Sequence, residues 1–327
     1  MNLINSRPPH IRSRESNFSV MGDMVIALIP LYFMAFFFYG SQVAVLGGVS
    51  VLTCVLLDVA CTYISGRKVG VLDLSPVVTG LMIPLMLPAS ISLYVVVVAD
   101  LFAIGVVKQP FGGLGQNIFN PAAAGVAFAA LTWKTEVFSY PMPIQSLGNM
   151  AARLVTSPAA SLKIGATPNY TLMDMVFGIY PGPMGATGIL ILTACLVYLV
   201  VRRTVNAKMT LTFLGVAAVI AFLFPRITTG RLESVFFELT SGILLFGSIF
   251  LINEPTTAPK AEVPKLIYAG VSGAVVMLFR YAGVFEEGMF FAVILMNAFS
   301  WLIDMKYEER KSAERRARYA ADTTETI

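Results

Sequence analysis

Carboxylates inside long apolar runs are the residues of this sequence that are best suited to chemistry. Asp58 lies in the run 43–65 and Asp100 in the run 92–107. Ionisable side chains within a membrane are costly, so they usually serve binding or conduction. Carboxylate oxygens can replace part of the hydration shell of a cation. We therefore predict Asp58 and Asp100 as residues of an ion path, with Glu238 as a weaker candidate at the start of its apolar segment.

A stretch of glycine and asparagine provides a second kind of site. Between Gly112 and Pro121 the sequence reads GGLGQNIFNP. Glycine lets the backbone approach a ligand closely, and asparagine can hydrogen-bond a polar ring edge or cap the helix that follows. Further along, residues 163–168 read KIGATP. This second motif predicts a turn with an exposed threonine hydroxyl.

Several other kinds of site are excluded by residue type. The sequence has one histidine, His10, which leaves no multi-histidine metal site or haem pair. Its three cysteines lie in apolar runs and form no C-x-x-C pair, so a disulfide framework or an iron–sulfur cluster within the chain is not expected. No glycine-rich motif of the Walker or dinucleotide type is present. We predict no catalytic residue and no metal ligand.

The composition indicates what must hold these residues. Of the 327 residues, 57% are hydrophobic and 13% are charged, and the mean hydropathy is +0.76. Soluble domains carry about 25% charged residues. The composition therefore excludes a soluble enzyme, a disordered protein and a binder of nucleic acid. It predicts an all-α polytopic membrane protein.

Ten apolar segments predict about ten transmembrane helices. The third and fifth segments are short, and prolines such as Pro84 and Pro121 interrupt or precede them. Short segments with prolines indicate broken helices that meet others at mid-depth. The ten segments are 22–40, 43–65, 75–88, 92–107, 120–133, 186–201, 209–225, 235–252, 265–279 and 288–303.

A long polar stretch divides the ten segments into two groups of five. An odd number of spans in each repeat makes the second repeat inverted relative to the first. We therefore predict two inverted five-helix repeats with a polar site between their broken elements. The predicted parts are an N-terminal arm (1–21), a first repeat (22–133), a connecting loop (134–184), a second repeat (185–304) and a C-terminal tail (305–327).

The basic residues predict the orientation of the chain. With ten spans, both termini lie on one side of the membrane. The arms and loops of that side hold 17 of the 23 lysines and arginines. Cytoplasmic loops are enriched in basic residues. We therefore expect both termini in the cytoplasm and the loop 134–184 outside.

Five pieces of the sequence together resemble one family. They are PH at 9–10, GQNIFNPA at 115–122, GATP at 165–168, NEPTTAP at 253–259 and EGMFFAVILMN at 287–297. The NIFNPA piece is the most specific. The chain resembles the membrane-embedded D subunit of the Rnf-type ion-translocating ferredoxin:NAD oxidoreductase (RnfD). That protein is related to the NqrB membrane subunit of the sodium-pumping NADH:quinone reductase.

The resemblance implies a covalent flavin. In that family a Ser/Thr-Gly-Ala-Thr motif carries FMN, whose phosphate is joined to the threonine hydroxyl by a phosphodiester bond. By resemblance, Thr167 is that residue, with Gly165 and Ala166 beside it, and a separate flavin transferase attaches the flavin. Ile164 stands where Ser or Thr is usual, and Ser161 stands where Asp is common. Both departures bear on the efficiency of attachment.

Other residues follow from the resemblance with less detail. A second Gly-Ala-Thr ends at Thr187 without the following proline, and we interpret Thr187 as structural. The related quinone reductase protein also holds riboflavin, so the resemblance admits a second, non-covalent flavin. The expected walls of a flavin pocket are Gly115, Asn117, Asn120, Asn253, Glu254 and Thr256, with Tyr170 near the attachment point to stack on the ring.

The resemblance therefore implies a membrane electron-transfer subunit of a Na⁺- or H⁺-translocating ferredoxin:NAD⁺ oxidoreductase. Its expected partners are the other subunits of an Rnf-type complex, including a second flavoprotein and iron–sulfur subunits. Its expected location is the cytoplasmic membrane of a bacterium or archaeon. One alternative is the quinone-reductase membrane subunit, which predicts an arm longer than 21 residues. The other is a flavin-free channel or transporter for small solutes.

Overall fold

The computed structural model describes residues 17–67, 73–113, 115–144 and 154–325. His10 and most of the predicted N-terminal arm lie outside these ranges, as does part of the loop 134–184. The described chain is overwhelmingly helical. One pair of short antiparallel strands, β1 (Tyr140–Pro141) and β2 (Leu154–Val155), closes the base of the connecting loop.

Each of the ten predicted apolar segments forms a helix or a pair of helices. The first five are α1 (Asn17–Tyr39), α2 (Ser41–Ile64), α3 (Ser75–Leu85), α4 (Leu93–Leu101), which continues in π-helical turns over Phe102–Lys108, and α5 (Pro121–Thr132). The connecting loop contains α6 (Lys134–Val137), α7 (Pro158–Lys163) and α8 (Leu172–Phe177). The last five segments form α9 (Ile189–Val201), α10 (Ala207–Leu223), α11 (Arg231–Thr240) with α12 (Leu244–Phe250), α13 (Glu262–Ala282) and α14 (Met289–Glu325).

Four of the described helices, α1, α2, α13 and α14, are long and apolar enough to cross a membrane alone. The pair α11 and α12 meets the same criterion only when the two helices are taken together, and it is bent by 56° at its break, as in a broken span or a re-entrant loop. Four further helices are apolar and shorter: α3 and α5, whose shortness the prolines predict, and α9 and α10, which the sequence did not single out as short. The chain is an all-α polytopic membrane protein.

Within each half, the second and fourth segments run parallel to each other. In the first half, Ser50 meets Asp100 near the middle, and Asp58 meets Lys108 further along the same direction. In the second half, the ends of α10 meet the matching ends of α13 in the same order. A parallel pair requires an intervening segment that crosses back, which α3 supplies in one half and α11–α12 in the other.

Equivalent helices of the two halves run antiparallel to each other. Along α1 and α9, Asp23 pairs with Arg202, and the thiol of Cys195 donates to the carbonyl of Ala27. Along α5 and α14, Asn120 meets Asn297, and Lys134 lies over the ring of Phe285. In both pairs, residue numbers rise along one helix as they fall along the other. This geometry agrees with the predicted inverted repeat, although the boundaries proposed for its parts stay predictions.

Small residues let the helices approach closely. A Cβ atom on Gly80 of α3 would lie 2.7 Å from the backbone of Val51 in α2. A Cβ atom on Gly273 of α13 would lie 2.7 Å from the carbonyl oxygen of Phe213 in α10. Membrane helices associate through such close packing rather than through the hydrophobic effect. The two glycines therefore allow the close approach of α3 to α2 and of α13 to α10.

Candidate functional site

Thr167 lies on a loop whose conformation is set by the end of α7. The amide of Gly165 donates to the carbonyl of Leu162 at 3.0 Å, and the amide of Ala166 donates to that of Ser161 at 2.9 Å. This pair of bonds is a Schellman motif, which needs a residue with positive φ. Gly165 supplies it at 74°. The chain therefore leaves the end of α7 in a direction that places Thr167 at the surface, where it is exposed.

Helix α7 is anchored at both ends to neighbouring elements. At its start, Ser157 caps the amide of Ala160 and donates from its hydroxyl to Glu286 at 3.1 Å. At its end, the ammonium of Lys163 donates to the carbonyl of Gly283 at 2.7 Å. Glu286 and Gly283 both belong to the turn between α13 and α14. The loop that carries Thr167 is therefore fixed to the second half of the molecule.

A small apolar cluster supports the same loop from below. It is separate from the main core and contains Leu162, Met175, Tyr180, Ile227 and Phe237, with Tyr170 packed against it. The ring centroids of Tyr170 and Tyr180 lie 6.4 Å apart. Tyr170 is half-buried, so this cluster already uses part of its ring. Stacking of Tyr170 on a flavin stays a prediction.

The loop lies among charged side chains of both signs. Burial and the charge of Lys134 lower the pKa of Lys163, and the charge of Glu286 opposes this shift. Arg226 is also nearby, with its guanidinium paired to Glu238. Cations close to an exposed hydroxyl suit the attachment of a phosphate group, because oppositely charged groups stabilise it.

The acidic residue next to α7 titrates near neutrality. Burial, together with the neighbouring charge of Glu287, raises the pKa of Glu286 to about 7. Hydrogen bonds from Ser157 and Tyr140 oppose that shift. The carboxyl group of Glu286, which accepts a hydrogen bond from Ser157, therefore changes its charge within the physiological pH range.

The second Gly-Ala-Thr motif has a different environment. Thr187 is completely buried. Its hydroxyl has no hydrogen-bond partner among the described residues. A flavin could not reach this hydroxyl without displacing the surrounding residues. The two threonines therefore differ in accessibility, although the sequence around them is similar.

The asparagine-rich stretch and the Asn-Glu-Pro motif meet in a polar cluster. The amide of Asn117 donates to Thr256 at 3.1 Å and to Glu254 at 3.4 Å. Thr256 and Thr257 also donate their hydroxyls to Glu254. The contact joins residues 137 positions apart in the sequence. It is the meeting of the two halves that the inverted repeat predicts.

Two further asparagines hold the chain around this cluster. Asn120 caps α5 through the amide of Ala123, as the sequence predicts. The backbone amide of Asn120 donates to the side-chain oxygen of Asn297 at 2.9 Å. The side-chain amide of Asn297 donates in turn to the hydroxyl of Tyr268 at 2.8 Å. Asn253 accepts from the amide of Asn206 at the start of α10. Gly115 lies in an exposed turn with a φ of 85°.

A cavity of about 40 Å³ adjoins the cluster. This volume is enough for about two or three water molecules. Its polar lining includes Ser75, Thr79, Lys108, Asn117 and Glu254. A flavin ring needs several hundred Å³, so its entry would require the flexible side chains of Met21, Met24 and Met82, which also line the cavity, to move.

The structure does not bring these pocket residues to Thr167. Asn253 contacts Asn206 at the start of α10, whereas Gly165 lies beside Arg226 just after its end. The 17 residues of α10 separate the two places by about 25 Å at 1.5 Å per residue. The prediction that Thr167 shares one pocket with these residues is therefore wrong. The residues at the opposite end of α10 from Thr167 are Gly115, Asn117, Asn120, Asn253, Glu254 and Thr256.

The two carboxylates predicted for an ion path have different surroundings. Asp58 pairs with the ammonium of Lys108 at 2.8 Å and accepts from Gln109 at 2.7 Å. Asp100 is completely buried and accepts from the hydroxyl of Ser50 at 2.9 Å. Its other oxygen has no partner among the residues that the structure describes. The compensating lysine was missed from the sequence, because Lys108 lies fifty residues from Asp58.

The weaker candidate Glu238 lies in a buried network that the sequence did not reveal. Arg280 is completely buried and pairs with Glu238 at 3.1 Å and with Glu287 at 3.3 Å. It also donates to the carbonyl of Ser241, at the break between α11 and α12. Arg226 makes a second pair with Glu238. A lone arginine at the end of an apolar segment is the signal that could have indicated a buried acidic partner.

Comparison with known proteins gives a consistent result. A family model described as the NQR2, RnfD, RnfE family matches residues 4–313. The D subunit of the Na(+)-translocating ferredoxin:NAD(+) oxidoreductase complex of Acetobacterium woodii is 30% identical over 315 residues, which cover 95% of each chain. The D subunit of the proton-translocating ferredoxin:NAD(+) oxidoreductase complex of Clostridium ljungdahlii is 26% identical and covers 95% of this chain and 96% of that protein.

A third relative carries a broader description. The D subunit of the ion-translocating oxidoreductase complex of Stutzerimonas stutzeri is 28% identical over 326 residues and covers 89% of this chain and 90% of that protein. The matches span the connecting loop as well as both groups of helices. The chain therefore belongs to the NQR2, RnfD, RnfE family.

Proposed function

We propose that this chain is the D subunit of an ion-translocating ferredoxin:NAD⁺ oxidoreductase complex and carries FMN on Thr167. The membership of the family and the names of its relatives support the complex. The observation that supports the attachment is the exposed hydroxyl of Thr167, which follows directly on a rigid helix end. A separate flavin transferase would join the FMN phosphate to this hydroxyl through a phosphodiester bond.

The residues around Thr167 suit such a group. FMN supplies one- or two-electron transfer when it is bound, and the protein supplies position and charge. Lys163 provides positive charge for the phosphate, and Gly165 leaves space beside the attachment point. The bond between Lys163 and Gly283 holds the loop in one place. The chain thus orients the group and limits its movement at the membrane surface.

The proposed partners are the other subunits of the complex, among them a second flavoprotein and iron–sulfur proteins that deliver electrons. The proposed orientation has both termini in the cytoplasm and Thr167 outside, from the distribution of lysine and arginine. One relative is named for Na⁺ and another for protons. Similarity to the family therefore leaves both cations open.

The distant polar cluster is the place where a second, non-covalent flavin would bind. Asn117 and Asn120 offer hydrogen-bonding groups there, but the cavity holds only a few water molecules unless the methionines around it move. Acid denaturation of the purified chain separates the two possibilities. Flavin released into solution would support the second site, and complete retention on the protein would oppose it.

The proposed attachment is tested by fluorescence in a denaturing gel. The chain is expressed with a flavin transferase as the unaltered protein, as Thr167→Ala and as Thr187→Val. The valine variant removes a buried hydroxyl that has no partner in the described structure and preserves the shape of the side chain. We expect fluorescent bands for the unaltered protein and Thr187→Val, and a dark band for Thr167→Ala. A dark band for the unaltered chain would contradict the proposal and favour a flavin-free transporter.

A further inference from the structure

Asp100 lies at a break in helical geometry near the middle of the bundle. It is the penultimate residue of α4, and π-helical turns begin at Phe102. The carboxyl group accepts one hydrogen bond from Ser50 at 2.9 Å, and the thiol of Cys54 lies within reach of the same group. The second oxygen is buried and without a partner in the described part of the chain. Such π-helical turns are frequent at functional sites.

No described cation lies close enough to neutralise Asp100. The titratable groups that face it are Tyr32 of α1 and Cys54 of α2, and the helices α3 and α5 contribute none. The ammonium group of Lys108, eight residues further along the chain, is bonded to Asp58 and Ser75. A buried carboxylate without a counter-charge is strongly disfavoured, so Asp100 must bind a positive charge of its own.

The donor set around Asp100 suits a proton better than a metal cation. Hard cations take several oxygen ligands. The described side chains around Asp100 offer one carboxyl group and the hydroxyls of Ser50 and Tyr32, while Cys54 supplies a soft sulfur atom. A proton needs neither a large cavity nor further ligands. It would reside on the unpartnered oxygen of Asp100.

A line of polar side chains connects Asp100 to one end of the bundle. Ser50, Cys54 and Asp58 recur every fourth residue and therefore share one face of α2. Asp58 meets Lys108, whose ammonium donates to Ser75 at 2.6 Å. Ser75 lines the water-sized cavity. The line spans about 12 Å along α2, from eight residues at 1.5 Å each.

The opposite direction along α4 is apolar. On that side of Asp100, α4 presents the buried apolar side chains of Val95, Val96 and Ala99. The polar side chains next to Asp100 therefore continue toward the Lys108 end of the bundle.

We propose that Asp100 holds a proton in this conformation and exchanges it with water at the Lys108 end through the line of Ser50, Cys54 and Asp58. Exchange breaks one O–H bond on Asp100 as a proton from the Lys108 end forms another, so the buried carboxyl group stays neutral and no electrons are transferred. As a step of cation translocation, this inference rests on the proposed function. The protonation of Asp100 itself does not depend on the flavin or on the other subunits.

Infrared spectroscopy of the purified full-length chain tests the protonation. We expect the carbonyl band of a carboxylic acid that shifts in D₂O, disappears in Asp100→Asn and persists in Glu233→Gln, which removes an exposed carboxyl group. Ser50→Ala should move the same band to higher frequency, because it removes a hydrogen bond to the carboxyl group. A spectrum of carboxylic acids that is the same in all variants would overturn the proposal. If Asp100→Asn does not fold, the shift of the band in Ser50→Ala tests the protonation of Asp100 by itself, and an unshifted band would contradict it.

The whole complex tests the role in translocation. In membrane vesicles, proton uptake driven by ferredoxin oxidation should fall about tenfold or more in Asp100→Asn, as expected for the loss of an ionisable carrier inside the membrane. Proton transport by Asp100→Asn at the rate of the unaltered complex would overturn the proposed role. A complex that transports Na⁺, at a rate that Asp100→Asn does not change, would also overturn it. The gel fluorescence of Thr167 stays independent of these variants, so a failure here is distinct from a failure of the proposed function.

Discussion

Lys163 donates a hydrogen bond of 2.7 Å to the carbonyl of Gly283, 120 residues further along the chain. The bond ties the loop that carries Thr167 to the turn between α13 and α14. That turn also contains Glu286 and Glu287, which contact α7 and the broken helix α11–α12, respectively. The proposed flavin site and the break in the second half therefore share one short segment.

Removing this bond should loosen the loop. In Lys163→Met the methylene stem is kept and the ammonium is lost, so we expect a cost of about 1 kcal/mol and a rise of about fivefold in amide exchange over residues 158–166. The control is Lys208→Met, because Lys208 is exposed at the opposite end of α10. Equal exchange in the two variants would show that the bond does not hold the loop.

Raising the pH should weaken the same loop. The pKa of Glu286 is about 7 in the folded chain against an ordinary value of 4.5. Between these two pH values the folded state binds more protons than the unfolded state. Protonation of Glu286 therefore stabilises the folded state at low pH, by at most about 3 kcal/mol, and this contribution is lost as the pH rises through about 7. Amide exchange over 158–166, corrected for its intrinsic pH dependence, should be faster at pH 8 than at pH 5.5.

Glu286→Gln provides the matched control for this pH effect. Glutamine keeps the shape of the protonated side chain and cannot ionise. We expect the exchange of the variant to be the same at both pH values, at the slower level of the unaltered chain at pH 5.5. A pH dependence that survives in Glu286→Gln would assign the effect to another group.

The buried arginine should be essential for stability. Arg280→Met removes the cation that pairs with the buried carboxylates of Glu238 and Glu287, and it leaves Glu287 without a cation. Loss of one partner from a buried ion pair costs about 3–5 kcal/mol of stability. Arg310→Met removes an exposed pair with Glu314, where we expect about 0–1 kcal/mol. Thermal unfolding in detergent measures both. Similar midpoints for the two variants would contradict the importance of the buried network.

Restoring a hydroxyl before Gly165 should favour flavin attachment. Ile164 is 78% exposed at the end of α7, so its replacement leaves the packing unchanged. We expect Ile164→Thr to raise the fraction of fluorescent chain when the transferase is limiting, and Ile164→Val to leave it unchanged. Equal labelling of these two variants would show that the departure at this position does not limit attachment.

The sequence by itself determined the helices and the ends of some of them. Hydropathy and proline positions predicted the ten helical segments, because both act on the backbone locally. The Asn-Pro pair predicted the cap of α5, and the KIGATP motif predicted an exposed turn at Thr167. These features depend on neighbours within a few residues, so the sequence order contains them.

The tertiary structure decided which distant residues face each other. Asp58 and Asp100 look alike in the sequence, but packing gives Asp58 the ammonium of Lys108 and leaves one oxygen of Asp100 without a partner in the described chain. Packing also places Asn117 at the opposite end of α10 from Thr167 and so separates residues that the sequence grouped together. Such contacts depend on the direction and register of helices far apart in sequence, which local hydropathy does not contain.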